Sequence, residues 1–291
     1  MTRAMALEPN SPHRSRPVFK PLALALSVLA SQVAVADTIV LTTSADNTII
    51  EEPTGLYSMG AAQYFFAGRV GVNGGGTLRR GAIKFNFSAI PAGSTITSVD
   101  LRMTCTAAGT TTPYSIGLRR FTASWGEGPS QAFGGGGTIA QNPDCTWLHR
   151  FYPSTSWATP GGSFSSTVSV SRSVAGMGTY IWASNPQFVA DVQSMVSNPA
   201  GNFGWCIVGN ETVMQSVKRF DSRESIATAR PQLTVTYIPS AVHDLNGDGK
   251  VSAPDLALLL SAWGTAGPGD FNNDGTVGAT DLGIILANWN P

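Results

Sequence analysis

The residues best equipped for chemistry stand near the end of the chain, in two stretches of one design. These are DLNGDGKVSAPD at 244–255 and, 26 residues later, DFNNDGTVGATD at 270–281. Oxygen-bearing side chains fall at alternate places: Asp244, Asn246 and Asp248 in the first stretch, Asp270, Asn272 and Asp274 in the second. Gly249 and Gly275 take the sixth place, where a tight loop must bend sharply. Lys250 and Thr276 stand seventh and would offer main-chain carbonyls. Ser252 is ninth, with Gly278 at that place in the second stretch, where water would serve instead. Asp255 and Asp281 close the two loops at the twelfth place. A hard divalent cation takes about six to eight oxygens at about 2.3–2.6 Å, and alternate residues of a tight loop point inward to supply them. Three carboxylates in so short a loop repel one another without a counter-charge. The pattern therefore predicts two calcium ions, one per loop.

Each loop runs into an amphipathic stretch: Leu256, Leu258, Leu259, Leu260 and Trp263 after the first, Leu282, Ile284, Ile285, Leu286 and Trp289 after the second. Neither IPSAVH (238–243) nor GTAGPG (264–269), which precede the loops, reads as a helix. Val251 and Val277, at the eighth place, are expected to join the loops through a short β-bridge. A duplicated loop–helix without the entering helix, closing on Asp instead of Glu, resembles a type I dockerin over residues 244–291. The resemblance implies docking onto a cohesin-like protein, in the manner of extracellular polysaccharide-degrading assemblies. It also places partner recognition at the tenth and eleventh positions, here Ala253-Pro254 and Ala279-Thr280. Those pairs depart from the family's usual Ser-Thr and differ from each other, which puts a standard cohesin partner and dual-mode docking in doubt.

The start of the chain reads as a leader. Arg3, Arg14, Arg16 and Lys20 precede the apolar run PLALALSVLAS (21–31), and Ala34-Val35-Ala36 has the small-residue pattern of a cleavage site. A signal peptide over 1–36 implies a secreted, extracellular or cell-surface protein, and no later run is long enough to span a membrane. Charge is partitioned along the chain. Residues 37–243 carry thirteen Lys/Arg against eleven Asp/Glu, whereas residues 244–291 carry one against six. There is no basic stripe of the kind nucleic acid needs. Eleven of those thirteen basic residues are Arg, which suits an acidic ligand and structural ion pairing equally. Cys105, Cys145 and Cys206 allow one disulfide with one thiol left over, and Cys206 in GWCIVG also reads as a small buried hydrophobe.

Between leader and loops, short apolar or alternating runs recur among Gly- and Pro-rich turns. They include TIVLTT (38–43), QYFFAGRV (63–70), GAIKFNF (81–87), STITSVDLRMTC (94–105), YSIGLRR (114–120), GWCIVG (204–209) and PQLTVTY (231–237). This rhythm predicts a mainly β domain, a jelly-roll-like antiparallel sandwich over 37–238, joined by a linker at 239–243 to the small helical module. One helix is expected at 185–199, with Phe188, Val192, Met195 and Val196 on its inner face.

Four motifs in order carry a second resemblance: GAIKFNFSAIPAGSTITSVDLRM, Trp125-Gly126-Glu127-Gly128, DCTWLHRFYPSTSWATPGGSF (144–164), and RFDSRE (219–224) followed by RPQLTVTY (230–237). Over 37–238 the chain resembles the DNRLRE domain family. The resemblance implies a jelly-roll-like sandwich and binding of acidic polysaccharide.

Adjacent residues on a strand face opposite ways, so Arg223 and Glu224 are not expected to share one groove, and an ion-pair partner such as Arg230 or Glu211 is expected for at least one of them. Any one of Trp125, Trp147, Trp157, Trp182 and Trp205 suits a core as well as a sugar platform. The glycan-contact candidates are Trp147, His149, Arg150, Tyr152 and Trp157, in a long Pro/Gly-rich segment. Hydrolase and phosphate-binding motifs are missing from the sequence, and no pair among Glu51, Glu52, Glu127 and Asp144 is marked out as a glycosidase dyad. A secreted non-catalytic binding protein is the expectation. The alternatives are a polysaccharide lyase using His149, Tyr152 and Arg150, a glycoside hydrolase, and an adhesive surface protein.

Overall fold

The computed structural model describes residues 1–2, 36–240, 243–289 and 291. The expected leader, apart from its first two residues and Ala36, lies outside the described residues. So does part of the expected linker.

The strands are β1 (Asp37–Ile50), β2 (Tyr57–Ser58), β3 (Tyr64–Arg69), β4 (Leu78–Phe85), β5 (Thr95–Ala108), β6 (Tyr114–Arg120) and β7 (Thr138–Ile139). They continue with β8 (His149–Phe151), β9 (Thr155–Ser156), β10 (Val170–Val174), β11 (Gly178–Trp182), β12 (Trp205–Val208), β13 (Lys218–Asp221) and β14 (Gln232–Ile238). The helices are α1 (Pro186–Ser197), α2 (Ala253–Ser261) and α3 (Ala279–Ala287). The protein is mainly β, and its strands pair antiparallel, as the short alternating runs predict.

The main sheet follows the order β1-β14-β5-β13-β3-β4-β12-β6-β10, with β11 also on β5. One end of this order folds back onto its middle, while β10 ends the other. Residues 37–42 of β1 pair with β14, and residues 43–50 pair with β4 after a register shift between Thr43 and Ala45. One strand therefore serves two neighbours, and β1-β14-β5-β13-β3-β4 closes into a ring of six. A shift of this kind bends a strand and raises its local twist, which lets β1 turn the corner.

Alternate residues of the strands fill the ring. Along β5, Ile96, Val99, Leu101, Met103 and Cys105 are buried in one core with Phe65, Phe85, Trp182, Trp205, Phe220 and Val235. The helix at 186–197 forms where expected. Asn185 caps it, its side-chain oxygen accepting the N–H groups of Gln187 and Phe188 at 2.9 and 3.0 Å, and Pro186 opens the first turn. Phe188, Val192 and Met195 are buried, and Phe188 meets Trp205 edge-on at 5.5 Å between ring centres. Asn185 Nδ2 also donates to the Ser169 carbonyl, which ties the helix start to the chain entering β10.

A second cluster outside the ring gathers Ile49, Ala82, Phe121, Cys145, Trp157 and Cys206. The disulfide that three cysteines allow is not formed. All three are buried free thiols, Cys105 in the main core and the other two in this second cluster. Burial pushes the Cys206 thiol up to about 12, so it behaves as the small hydrophobe that its context suggested.

Among the described residues, one cation is completely enclosed. Lys218 on β13 is buried, and its Nζ donates to the carbonyls of Thr110, Thr112 and Ala175. The ammonium thus ties the β5–β6 and β10–β11 turns to β13 without a carboxylate.

The tail has its own small core of Val251, Leu259, Val277 and Ile285. Both valines are buried in it. The main chain of Val277 pairs instead with the turn after α2, taking Gly264 N–H at 2.9 Å and giving its own N–H to Thr265 at 2.8 Å. The expected Val251–Val277 bridge gives way to this pairing because each helix must be followed by a chain return.

Two substitutions test this account. Phe188→Ala should lower unfolding free energy by about 3–5 kcal/mol in urea denaturation, the range for emptying an aromatic site. Lys218→Met, which leaves three carbonyls without a donor, should cost about 3 kcal/mol despite adding no volume.

Candidate functional site

The two acidic loops have nearly the same internal architecture. Asp244 Oδ1 accepts Gly247 and Asp248 N–H, and its Oδ2 accepts Gly249 N–H at 2.6 Å. Asp270 accepts Asp274 and Gly275 N–H in the same way, at 3.1 and 2.8 Å. Asn246 Oδ1 takes Asp248 N–H, and Asn272 Oδ1 takes Asp274 N–H. Asp248 and Asp274 receive the N–H groups of Lys250 and Thr276. Gly249 and Gly275 have φ of 86° and 94°, the left-handed region that only glycine enters cheaply.

The twelfth residues anchor each loop. Asp255 accepts Leu245, Asn246 and Ser252 N–H at 2.9, 3.0 and 2.8 Å. Asp281 accepts Phe271, Asn272 and Gly278 N–H at 2.7, 3.2 and 2.8 Å. Both are buried at the first turns of α2 and α3. Burial works to raise the pKa of Asp255, but the Ser252, Asn246 and Leu245 N–H groups outweigh it and hold the carboxyl below its ordinary value. The same balance holds Asp281 down.

One oxygen from each of Asp244, Asp248 and Asp255 lies within 4.8 Å of the others, a set of hard donors that could hold a metal ion. Among the described residues, Asp270, Asp274 and Asp281 do not converge so closely. Ala253, Pro254, Ala279 and Thr280 are exposed on the first turns of the two helices. Leu258, Leu260, Trp263 and Leu286 are exposed nearby.

The aromatic segment of the β domain behaves differently from its sequence reading. Trp157 is only 6% exposed, stacks on Phe121 at 5.4 Å, and gives its Nε1–H to the Thr146 carbonyl. Its ring is a core element and offers no open face to a sugar. Trp147 is half-buried, with the Arg80 guanidinium 5.0 Å above its ring. His149 and Tyr152 meet edge-on at 5.3 Å. Arg150 Nη1 donates to both the carbonyl and the hydroxyl of Ser124. Arg150 and the rim of Trp157 line a hollow of about 600 Å³ with Thr122, Ser124, Ser156 and Ser163. Of the five candidates, the structure brings these two to one hollow. Trp182 and Trp205 are fully buried in the main core.

The Arg223-Glu224 pair also departs from expectation. β13 ends at Asp221, so both residues lie in the following turn and are free to face each other. Arg223 Nε lies 2.9 Å from Glu224 Oε1, and the guanidinium clamps Glu127 through Nε at 2.5 Å and Nη2 at 2.7 Å. The expected partners are engaged elsewhere: Glu211 with Arg80 at 2.6 Å, Arg230 with the Ser225 carbonyl. Glu127 Oε1 in turn accepts Asp46 N–H, and Asp46 Oδ2 accepts Arg223 N–H, both at 2.8 Å. Asp46 is 1% exposed. Sequence reasoning missed it, because an acid within a strand carries no motif.

No family model matches the chain, and no curated protein matches it.

The clamp predicts a specific cost. Arg223→Ala removes the one cation that, among the described residues, pairs with Glu127 and Glu224. With the arginine itself partly exposed, the loss should be about 1–2 kcal/mol in thermal or urea unfolding. Arg223→Lys should recover less than half, since a point charge cannot replace the two-pronged contact.

Proposed function

We propose that the chain is a secreted, non-catalytic modular protein. In this reading a calcium-dependent, dockerin-like tail carries a jelly-roll-like sandwich of the DNRLRE kind, which holds acidic polysaccharide. The observation that carries the proposal is the hydrogen-bond scheme shared by two loops 26 residues apart. Two copies of one loop are hard to explain as turns alone, since shorter turns would connect these helices with fewer like charges. Calcium, when bound, would supply the positive charge that three carboxylates per loop need, and ligand binding energy of this kind becomes folding energy. Asp244, Asn246, Asp248, Asp255 and their counterparts Asp270, Asn272, Asp274 and Asp281 would hold the ions through side chains. Lys250 and Thr276 would contribute carbonyls, and Ser252 would act at the ninth position.

The exposed first turns at Ala253-Pro254 and Ala279-Thr280, with Leu258, Leu260, Trp263 and Leu286, are the surface offered to a cohesin-like partner. On the β domain, the hydroxyl-lined hollow beside Arg150 supports the polysaccharide reading. Arg150 has no carboxylate within ion-pair distance among the described residues, so its charge is available to an acidic sugar. The carboxylates a glycosidase would need are engaged. Arg223 clamps Glu127, Glu51 accepts Leu78 N–H at the start of β4, Glu52 accepts Leu56 N–H, and Asp144 is buried against Ser130 and Gln141. The His149–Tyr152 contact favours a lyase as the second reading, and loss of turnover on polyuronate in His149→Ala would establish it.

Calorimetric titration of the chelator-treated full chain should give two calcium ions. At about 100 times Kd each ion should add ~2.7 kcal/mol to the stability of the tail. Asp255→Asn and Asp281→Asn should each remove one site. A thermal transition for the tail that is identical with calcium and with chelator would refute the metal reading. Retardation in gels containing polyuronate, but not neutral glucan, tests the β domain independently, and Arg150→Ala should abolish it.

A further inference from the structure

Asp46 stands in an unusual place for a carboxylate. It lies in the half of β1 that pairs with β4, opposite Ile83, and is almost completely enclosed. One of its oxygens lies within 4.8 Å of an oxygen from each of Glu127 and Glu224. The only hydrogen bond to its carboxyl from the described residues is the Arg223 main-chain N–H. The guanidinium of Arg223 is directed to Glu127 and Glu224 instead. With all three acids ionised, three negative charges face one positive charge, and the most buried of the three has no cation of its own.

We propose that this cluster is a pH-sensitive latch: a proton on Asp46 keeps the 222–225 turn fastened to β1 and to the Glu127 segment, and loss of that proton loosens the fastening. Every segment packed there contributes. Glu127 comes from the segment before β7, with Asp144 packed against the neighbouring Gly128. Arg219, Asp221, Arg223 and Glu224 come from β13 and its turn, and Lys84 lies on β4 opposite Ala45. Asp221 is turned to Ser225, and Arg219 stacks on Tyr64 at 4.0 Å.

Burial first, then Glu224, pushes the Asp46 carboxyl well above the usual carboxylate range, with Glu127 adding to it and Arg223 opposing. Because the folded value exceeds the unfolded one, Asp46 contributes most below the ordinary carboxylate range. That contribution disappears as pH rises through the folded value. A carboxylate newly charged at this depth repels Glu127 and Glu224, and the 222–225 turn, which carries the exposed Arg223, is placed to yield.

Asp46→Asn separates this latch from every other titration in the chain, because the amide mimics the protonated acid and still accepts the Arg223 N–H. At about pH 4, near the ordinary carboxylate value, the variant and the wild type should melt almost together, whereas at about pH 8 the wild type should melt several degrees lower. Amide exchange of residues 222–225, normalised to an unstructured peptide at each pH, should lose about tenfold protection over that range in wild type but not in Asp46→Asn. A melting difference that is the same at both pH values, or protection that does not change with pH in the wild type, overturns the latch. Should Asp46→Asn not fold, the half-buried Glu224→Gln serves: it should shrink the wild-type loss on raising pH, and an undiminished loss also overturns the proposal.

Discussion

The double pairing of β1 is the constraint on which the rest of the β domain depends. A strand has two edges, and β1 uses its N-terminal half on β14 and its C-terminal half on β4. Only a strand of this length, bent at the Thr43/Ala45 shift, can do both. Closing the ring joins β1 to both β14 and β4, while β10 and β11 each keep a single neighbour. It also sets which residues face inward. Before the bend Ile39 and Leu41 pack toward the main core, and beyond it Ile49 turns to the second cluster, with Asp46 enclosed at the corner.

That corner explains why polar residues are buried there. The Asn47 amide bonds Ser58 and the Glu127 carbonyl, and Ser58 bonds the Cys145 carbonyl. These contacts draw the long connections that contain Glu127 and Cys145 onto the outside of the ring. Connections of such length cannot be held by strand pairing alone. A polar network does so at the cost of removing charges from water, and that cost is smallest where each group finds a fixed partner. Arg223 supplies that partner for two acids and leaves Asp46 with a main-chain N–H alone.

The tail is governed by a different constraint. Its small core gathers only four buried apolar residues, Val251, Leu259, Val277 and Ile285, which is little for an independent fold. Most of its order comes from carboxylates that collect loop N–H groups. Each Asp at the twelfth position both starts a helix and closes a loop, so loop geometry and helix position are one event.

Much of this was legible in the residues. The alternating runs marked β1, β3, β4, β5, β6, β12 and β14. Asn185-Pro186 and the spacing of Phe188, Val192 and Met195 placed α1 to within a residue or two. The 26-residue repeat marked both loops and the Asp and Asn side chains that fold back onto loop N–H groups, because those contacts all lie within twelve residues of chain. What local pattern could not determine was which residues meet across the chain. Trp157 reads the same as Trp147 in sequence, yet the stacking partner Phe121 makes it core. Arg223 and Glu224 share a face only because β13 stops at Asp221. The Asp46–Glu127–Arg223 contacts join residues from three distant segments, and a carboxylate acquires its depth and its neighbours only when the ring closes around it.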